Sequence, residues 1–148
     1  MQGFEIIFKE IIVTIDLTTT ELFKSFTEIT ADDIYVDLHN EFKCYAINYS
    51  QGQRQLSLSF NASKNNSREV RHVEIVFKNA TIELMNFKID VEAYNSEWTI
   101  DIVYRGRFVD KDDILKEMSI EGKYYYYLNF YEDYSFEIFS DSVIAELK

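Results

Sequence analysis

The chain has 148 residues, a formal net charge of −11 and 47% hydrophobic residues, and 16% of its residues are aromatic. This size supports a sizeable hydrophobic core, and the aromatic residues suit pleated sheets, so we expect residues 1–148 to form a single β-rich domain. The negative charge argues against direct binding of nucleic acid, which needs a basic surface, and the single cysteine, Cys44, excludes an intramolecular disulfide.

The first predicted element is a strand in the segment "FEIIFKEIIVTI", whose apolar phase slips near Lys9–Glu10. The segment has acids within its apolar run and no basic region before it, so it predicts a strand rather than a signal peptide. No run in the chain approaches the roughly 18 apolar residues of a membrane span. Together with the single cysteine, these features predict a cytoplasmic protein that does not bind a membrane.

The second segment, "TTTELFKSFTEI", changes period and predicts a short helix. Thr18 and Glu21 fit a capping box, and Leu22, Phe26 and Ile29 fall on one helical stripe. We expect this helix to lie on a sheet.

Alternating strand patterns fill the middle and the end of the chain. They occur in "DIYVDL", "FKCYAINY", "QLSLSF", "VRHVEIVF", "ATIEL", "FKIDVEAY", "EWTIDIVY" and "SVIAEL". Alternate side chains of a strand point to opposite faces, so the apolar phase predicts the residues that point inward. These residues are Leu56, Leu58, Phe60, Val73, Ile75, Phe77, Trp98, Ile100 and Ile102, and Tyr104 continues the phase of the last three.

A second short helix is predicted in "DKDDILKEM", with Asp110 as its cap. Two short helices are too few for the crossovers of a parallel sheet. Proline is absent and glycine occurs four times, so the turns must depend on Asn, Asp and Ser. The sequence therefore predicts a mainly β fold, an antiparallel sandwich or barrel with two short helices.

The stretch "KYYYYLNFYEDYSFEIF" predicts a β-hairpin that contains six tyrosines. A two-residue loop would mix polar and apolar residues on both faces of this hairpin. A three-residue loop, residues 132–134, pairs Phe130 with Phe136 and Leu128 with Ile138, which gives one apolar face. We expect that face to lie in the core.

The opposite face of the hairpin combines aromatic rings with carboxylates, as protein-binding surfaces do. The competing interpretation is that another element covers these rings. The predicted partner-binding residues are Tyr125, Tyr127, Asn129, Tyr131, Glu137, Phe139 and Asp141.

No catalytic, metal or cofactor motif stands out. The chain has two histidines, His39 and His72, too few for a three-histidine zinc site, and Cys44 fits a small buried strand residue. The run "DKDDILKEMSIE" fails the calcium-loop pattern, because Ile114 occupies the fifth position and Leu115 replaces the glycine at the sixth. We expect no catalytic residue, no metal and no cofactor.

Two stretches carry a resemblance to a known class. The segments "HVEIVFKNATIEL" and "YLNFYEDYSFEIFSDSVIAEL" combine a patterned strand ending in Phe-x-Asn with a terminal aromatic hairpin. The second half of the chain, which contains both segments, resembles the small, acidic, β-rich immunity-type proteins that are encoded beside bacterial toxin genes. The resemblance implies a non-enzymatic protein that binds and blocks one toxin, often a basic nuclease.

The predicted function is therefore that of an acidic binding protein of the immunity or inhibitor type. Residues 1–53 and 110–148 carry net negative charge, which attracts a basic protein and speeds the encounter. The alternative is a β-barrel that holds a small apolar ligand in an aromatic-lined cavity.

Overall fold

The computed structural model describes residues 12–63, 69–86, 98–109, 114–116, 121–131 and 134–148. Within these ranges the chain forms thirteen strands and one short helix. In chain order the elements are β1 (Val13–Asp16), β2 (Glu28–Ala31), β3 (Ile34–Asp37), α1 (Leu38–Glu41), β4 (Phe42–Ser50), β5 (Gln55–Ala62), β6 (His72–Lys78), β7 (Thr81–Asn86), β8 (Ile100–Arg105), β9 (Arg107–Val109), β10 (Ile114–Lys116), β11 (Tyr124–Phe130), β12 (Tyr134–Ser140) and β13 (Ser142–Leu147).

Two sheets form a sandwich. The larger sheet has the strand order β1-β13-β6-β5-β4, the smaller has the order β7-β12-β11-β8, and β2–β3 and β9–β10 form separate pairs. All pairings between these strands are antiparallel. The predicted mainly β, antiparallel fold is confirmed, and it is a sandwich, because the sheets do not close into a barrel.

Most of the predicted core residues are buried. Leu56, Leu58 and Phe60 of β5 are at most 1% exposed, and they pair side by side with apolar residues of β6 that are at most 2% exposed. Rings from the two sheets meet in the middle, where the centroids of Phe77 and Tyr126 lie 5.6 Å apart. Alternation with period two therefore identified the inner faces of β5 and β6 correctly.

A bulge in β8 makes one core prediction wrong. The pairing of β11 with β8 shifts register between Asn129 and Phe130, so that Phe130 pairs with Ile100 but Asn129 pairs with Ile102. One extra residue reverses the facing of every later side chain. Ile100 is buried as predicted, whereas Val103 takes the next core position and Ile102 is only partly buried. Trp98 is also partly buried and packs against the core from its edge.

The first predicted helix is wrong, because the segment after Thr18 is irregular and lies beside β8. The amide of Phe23 donates to the carbonyl of Arg105 at 2.9 Å, and the amide of Phe26 donates to that of Val103 at 2.8 Å. The φ angle of Phe23 is 59°, which a right-handed helix does not contain. Backbone hydrogen bonds from this segment to β8 thus outweighed its local helix propensity.

The second predicted helix is wrong where the structure describes it, since Ile114–Lys116 is strand β10 and pairs with β9. The rest of that segment, the predicted slip near Lys9–Glu10 and the predicted strand in "FKIDVEAY" lie outside the described residues. The observed helix α1 has a different position, and the Asp37 carboxylate caps it by accepting from the Asn40 amide at 3.0 Å. None of the described helices has the length and apolar character to cross a membrane.

The chain passes between the two sheets at turns built from Asn, Asp and Ser, as predicted. Asn79 follows β6 and adopts a φ of 47°, and its side-chain amide donates to the Asp141 carboxylate at 2.6 Å. Asp141 occupies the matching turn between β12 and β13. The buried Ser140 hydroxyl donates to the carbonyl of Lys78 at 2.7 Å, which ties the two turns together.

Candidate functional site

The aromatic hairpin forms with its predicted faces but in a shifted register. Phe130 pairs with Tyr134 and Leu128 with Phe136, so Tyr134 belongs to strand β12 and not to the predicted loop at residues 132–134. The predicted pairs are wrong by two residues, but a shift of two keeps every side chain on its face. Tyr134 packs on Trp98, with ring centroids 4.9 Å apart, and the amide of Tyr131 donates to the Thr99 carbonyl at 3.0 Å. These contacts favour the observed register.

Five of the seven predicted binding residues share the outer surface of the smaller sheet. Tyr125 pairs with Phe139 and Tyr127 with Glu137, and Asn129 lies next along β11. All five side chains are partly buried. The rings of Tyr125 and Phe139 contact edge to face, with centroids 4.3 Å apart. The sheet thus holds the aromatic and polar groups of both strands side by side.

Sequence reasoning missed one neighbour on this surface, Tyr104. The β8 bulge turns Tyr104 outward, and its ring lies 5.3 Å from that of Tyr127 and 5.5 Å from that of Phe23. Alternation could not reveal this placement, because nothing in the local pattern marks the bulge. The outer surface is called the tyrosine face below, and its members are Tyr104, Tyr125, Tyr127, Asn129, Glu137 and Phe139.

Polar tips converge at the centre of the tyrosine face. The Asn129 amide donates to the Tyr127 hydroxyl at 3.1 Å. Partial burial raises the pKa of Tyr104, and the nearby Tyr127 and Glu137 raise it further. The centre therefore offers ring surface, hydroxyl groups and one carboxylate, groups that pack apolar side chains, accept hydrogen bonds and attract cations.

Tyr131 and Asp141 lie beyond the strand ends and have other partners. Tyr131 is 52% exposed, and its hydroxyl lies 3.0 Å from Nε2 of His39. The Nδ1 atom of His39 donates to the Ile100 carbonyl at 2.7 Å. Asp141 accepts from Asn79 in the turn that leads to β13. The structure thus brings five of the seven predicted residues together and places these two at the margin.

The remaining candidate reactive groups have structural surroundings. Cys44 is 3% exposed, as expected of a small strand residue, and burial raises the pKa of its thiol to about 12. His72 Nδ1 lies 2.9 Å from the Asn61 side-chain oxygen. In the part of the chain that the structure describes, no three His, Cys, Asp or Glu side chains are grouped so that they could hold a metal ion.

Comparison with protein-family models, with curated proteins and with solved structures gave no match to this chain. The tyrosine face is a partly exposed aromatic surface on a regular sheet, and a rigid scaffold of this kind presents its side chains in a preorganised arrangement.

Proposed function

We propose that the protein is a non-enzymatic binding protein of the immunity or inhibitor type, which holds a basic protein partner against the tyrosine face. The observation that carries the proposal is the partly exposed row of aromatic rings with Glu137 among them. Tyrosines are enriched at protein interfaces because they offer a large apolar surface with a polar tip. Their fixed positions on two paired strands reduce the entropy lost on binding.

The charge of the chain supports a basic partner. A net charge of −11 attracts a basic protein over a long range and raises the rate of encounter. At close range, the Glu137 carboxylate among aromatic rings suits a lysine or arginine side chain, which can bind the carboxylate and a ring face at once. A basic toxin, such as a nuclease, is the class of partner that the resemblance to immunity-type proteins implies.

The proposal includes a cytoplasmic location. The single cysteine is consistent with a reducing compartment, where disulfides are rare. An inhibitor of a nuclease would meet its partner there, because the nucleic acid that a nuclease cleaves lies in the cytoplasm.

The proposal is tested by affinity capture from the native host with three forms of the protein: wild type, Tyr127→Ala and Tyr45→Ala. Tyr45 is the matched control, because it is a tyrosine that is 47% exposed on the other sheet. We expect one basic protein to be captured by the wild type and by Tyr45→Ala, and to be lost with Tyr127→Ala. Capture of no protein, or of the same protein by all three forms, would contradict the proposal.

A further inference from the structure

A cleft opens between the two sheets at the edge formed by β4 and β7. These are the terminal strands of their sheets, so side chains from both sheets face each other across the opening. The cleft has a volume of about 250 Å³. Its walls are apolar and include Ile47, Leu56, Ile82, Met85, Trp98 and Phe136.

Exposed apolar side chains flank this cleft. Among the described residues, six large apolar side chains are exposed, and two of them, Tyr49 and Met85, line the cleft. Their exposed fractions are 42% and 54%, whereas the ring of the nearby Tyr45 lies against His72 on the outer face of the larger sheet. Clustered apolar exposure costs hydration free energy and marks binding sites on soluble proteins.

The polar groups of the lining already have partners within the chain. The Tyr49 hydroxyl donates to the Ala80 carbonyl at 3.1 Å, and the Cys44 thiol donates to the Ala46 carbonyl at 3.6 Å. No charged side chain is among the described residues that line the cleft. The cleft therefore offers rings, methyl groups and a thioether rather than hydrogen bonds or charge.

Trp98 gives the cleft a rigid aromatic wall. Its ring packs against the rings of Phe130 and Tyr134, with distances of 5.4 and 4.9 Å between ring centroids. Trp98 nevertheless remains partly exposed. The backbone of Trp98 is also fixed, because it exchanges two hydrogen bonds with Cys44 of β4, at 2.8 and 2.9 Å. A wall held in this way needs little ordering when a flat ring packs on it.

We infer that this cleft is a binding site for a small uncharged aromatic molecule of one or two fused rings. An apolar cavity of about 150 Å³ is enough to hold benzene, so this volume suits a slightly larger ring system. The absence of charge in the described lining disfavours ions and sugars, whose polar groups would lose hydration without replacement. The site is separate from the tyrosine face, which lies on the opposite surface of the smaller sheet.

The inference is tested by titrating the folded protein with indole and following the side-chain N–H resonance of Trp98 by NMR. The chain has one tryptophan, so this resonance is unambiguous. We expect a saturable shift in the wild type. Met85→Glu, which places a carboxylate at the cleft, should weaken indole binding by about tenfold or more.

Leu84→Glu is the matched control. Leu84 is 52% exposed and Met85 is 54% exposed, but Leu84 pairs with Glu137 on the outer face, whereas Met85 pairs with the buried Phe136. We expect Leu84→Glu to bind indole like the wild type, and we expect the cyclic polyol myo-inositol to cause no saturable shift. Amide spectra of both variants verify that they are folded.

Several results would overturn the inference. They are the absence of saturation by indole, equal weakening by the two substitutions, and equally strong binding of myo-inositol. Loss of a captured protein partner with Met85→Glu, without any binding of indole, would assign the cleft to a protein interface instead. That outcome differs from a failure of the proposed function, in which Tyr127→Ala would still capture the same protein partner as the wild type.

Discussion

Tyr126 differs from its neighbours in the hairpin because its ring lies in the core. It is 1% exposed, and its hydroxyl donates to the carbonyl of Thr18 at 2.7 Å. The Thr18 hydroxyl in turn accepts from the amide of Val143 at 3.0 Å. Tyr126 thus anchors the irregular segment after β1 to the middle of the sandwich, while Tyr125 and Tyr127 face outward.

We expect Tyr126→Phe to lower the free energy of unfolding by about 1–2 kcal/mol, because it leaves a carbonyl acceptor in the core without its partner. Tyr125→Phe, on the outer face of the same strand, is the control and should change it by less than about 0.5 kcal/mol. Urea denaturation measures both. Equal effects of the two substitutions would show that the hydrogen bond from Tyr126 to Thr18 does not stabilise the fold.

Cys44 provides a second test at this scale. Burial raises the pKa of its thiol to about 12, from an ordinary value near 9. We expect iodoacetamide at pH 8 to modify the native protein far more slowly than the urea-unfolded chain, because the reactive species is the thiolate. Mass spectrometry measures the two rates, and equal rates would show that the thiol is accessible.

The same raised pKa has a consequence for stability in alkaline solution. Above about pH 9 the unfolded chain releases the Cys44 proton and the native protein keeps it, so the stability contributed by this residue falls as the pH rises toward 12. Cys44→Ala should therefore show a shallower alkaline loss of stability than the wild type.

At the scale of strands, the bulge in β8 decides which side chains form the core. Val103 is 2% exposed and Ile102 is partly buried, although Ile102 is the larger residue. We expect Val103→Ala to destabilise the protein by roughly 2 kcal/mol, and Ile102→Ala by less than about 1 kcal/mol. Urea denaturation of the two variants gives the comparison. A larger cost for Ile102→Ala would mean that β8 has no bulge.

The same strand shows how far the sequence predicts the fold. Regular alternation located β5, β6 and the inner face of β11 correctly, because each of these strands buries one face without interruption. Alternation failed from Ile102 onward, since a bulge is set by the pairing with β11 and not by the local pattern. The prediction of a helix after Thr18 failed for a related reason, because the backbone amides of Phe23 and Phe26 donate hydrogen bonds to β8.

The candidate site was predictable in part. The alternation of side chains along two paired strands was enough to place five residues on one face, even though the predicted hairpin register was wrong by two residues. These residues are Tyr125, Tyr127, Asn129, Glu137 and Phe139. Tyr104 could not be found in this way, because its position depends on the bulge. Tyr131 and Asp141 continue the same alternation in the sequence, but they lie in turns, where alternation no longer determines the face to which a side chain points.

At the scale of the whole molecule, charge and aromatic surface have separable effects on binding. A net charge of −11 acts on the approach of a basic partner, and salt screens exposed charges over about 10 Å at 0.1 M. The rings of the tyrosine face act after contact, when their surface is removed from water. The two contributions therefore affect different rate constants.

We expect the association rate constant of a captured basic partner to fall by roughly tenfold or more between low and high salt. Glu137→Lys combined with Asp141→Lys should mainly slow association, whereas Tyr127→Ala should mainly speed dissociation. Surface-based kinetic measurements separate the two rate constants. Rates that are independent of salt would contradict a role for the charge.

Site-specific photocrosslinking in living cells of the native host tests whether the tyrosine face contacts a protein partner. A benzophenone amino acid replaces Tyr127 in one variant and Tyr45, on the other sheet, in a second. We expect irradiation to join a basic protein to the variant labelled at position 127 and not to the one labelled at position 45. A crosslink at position 45 alone, or at neither position, would contradict this expectation.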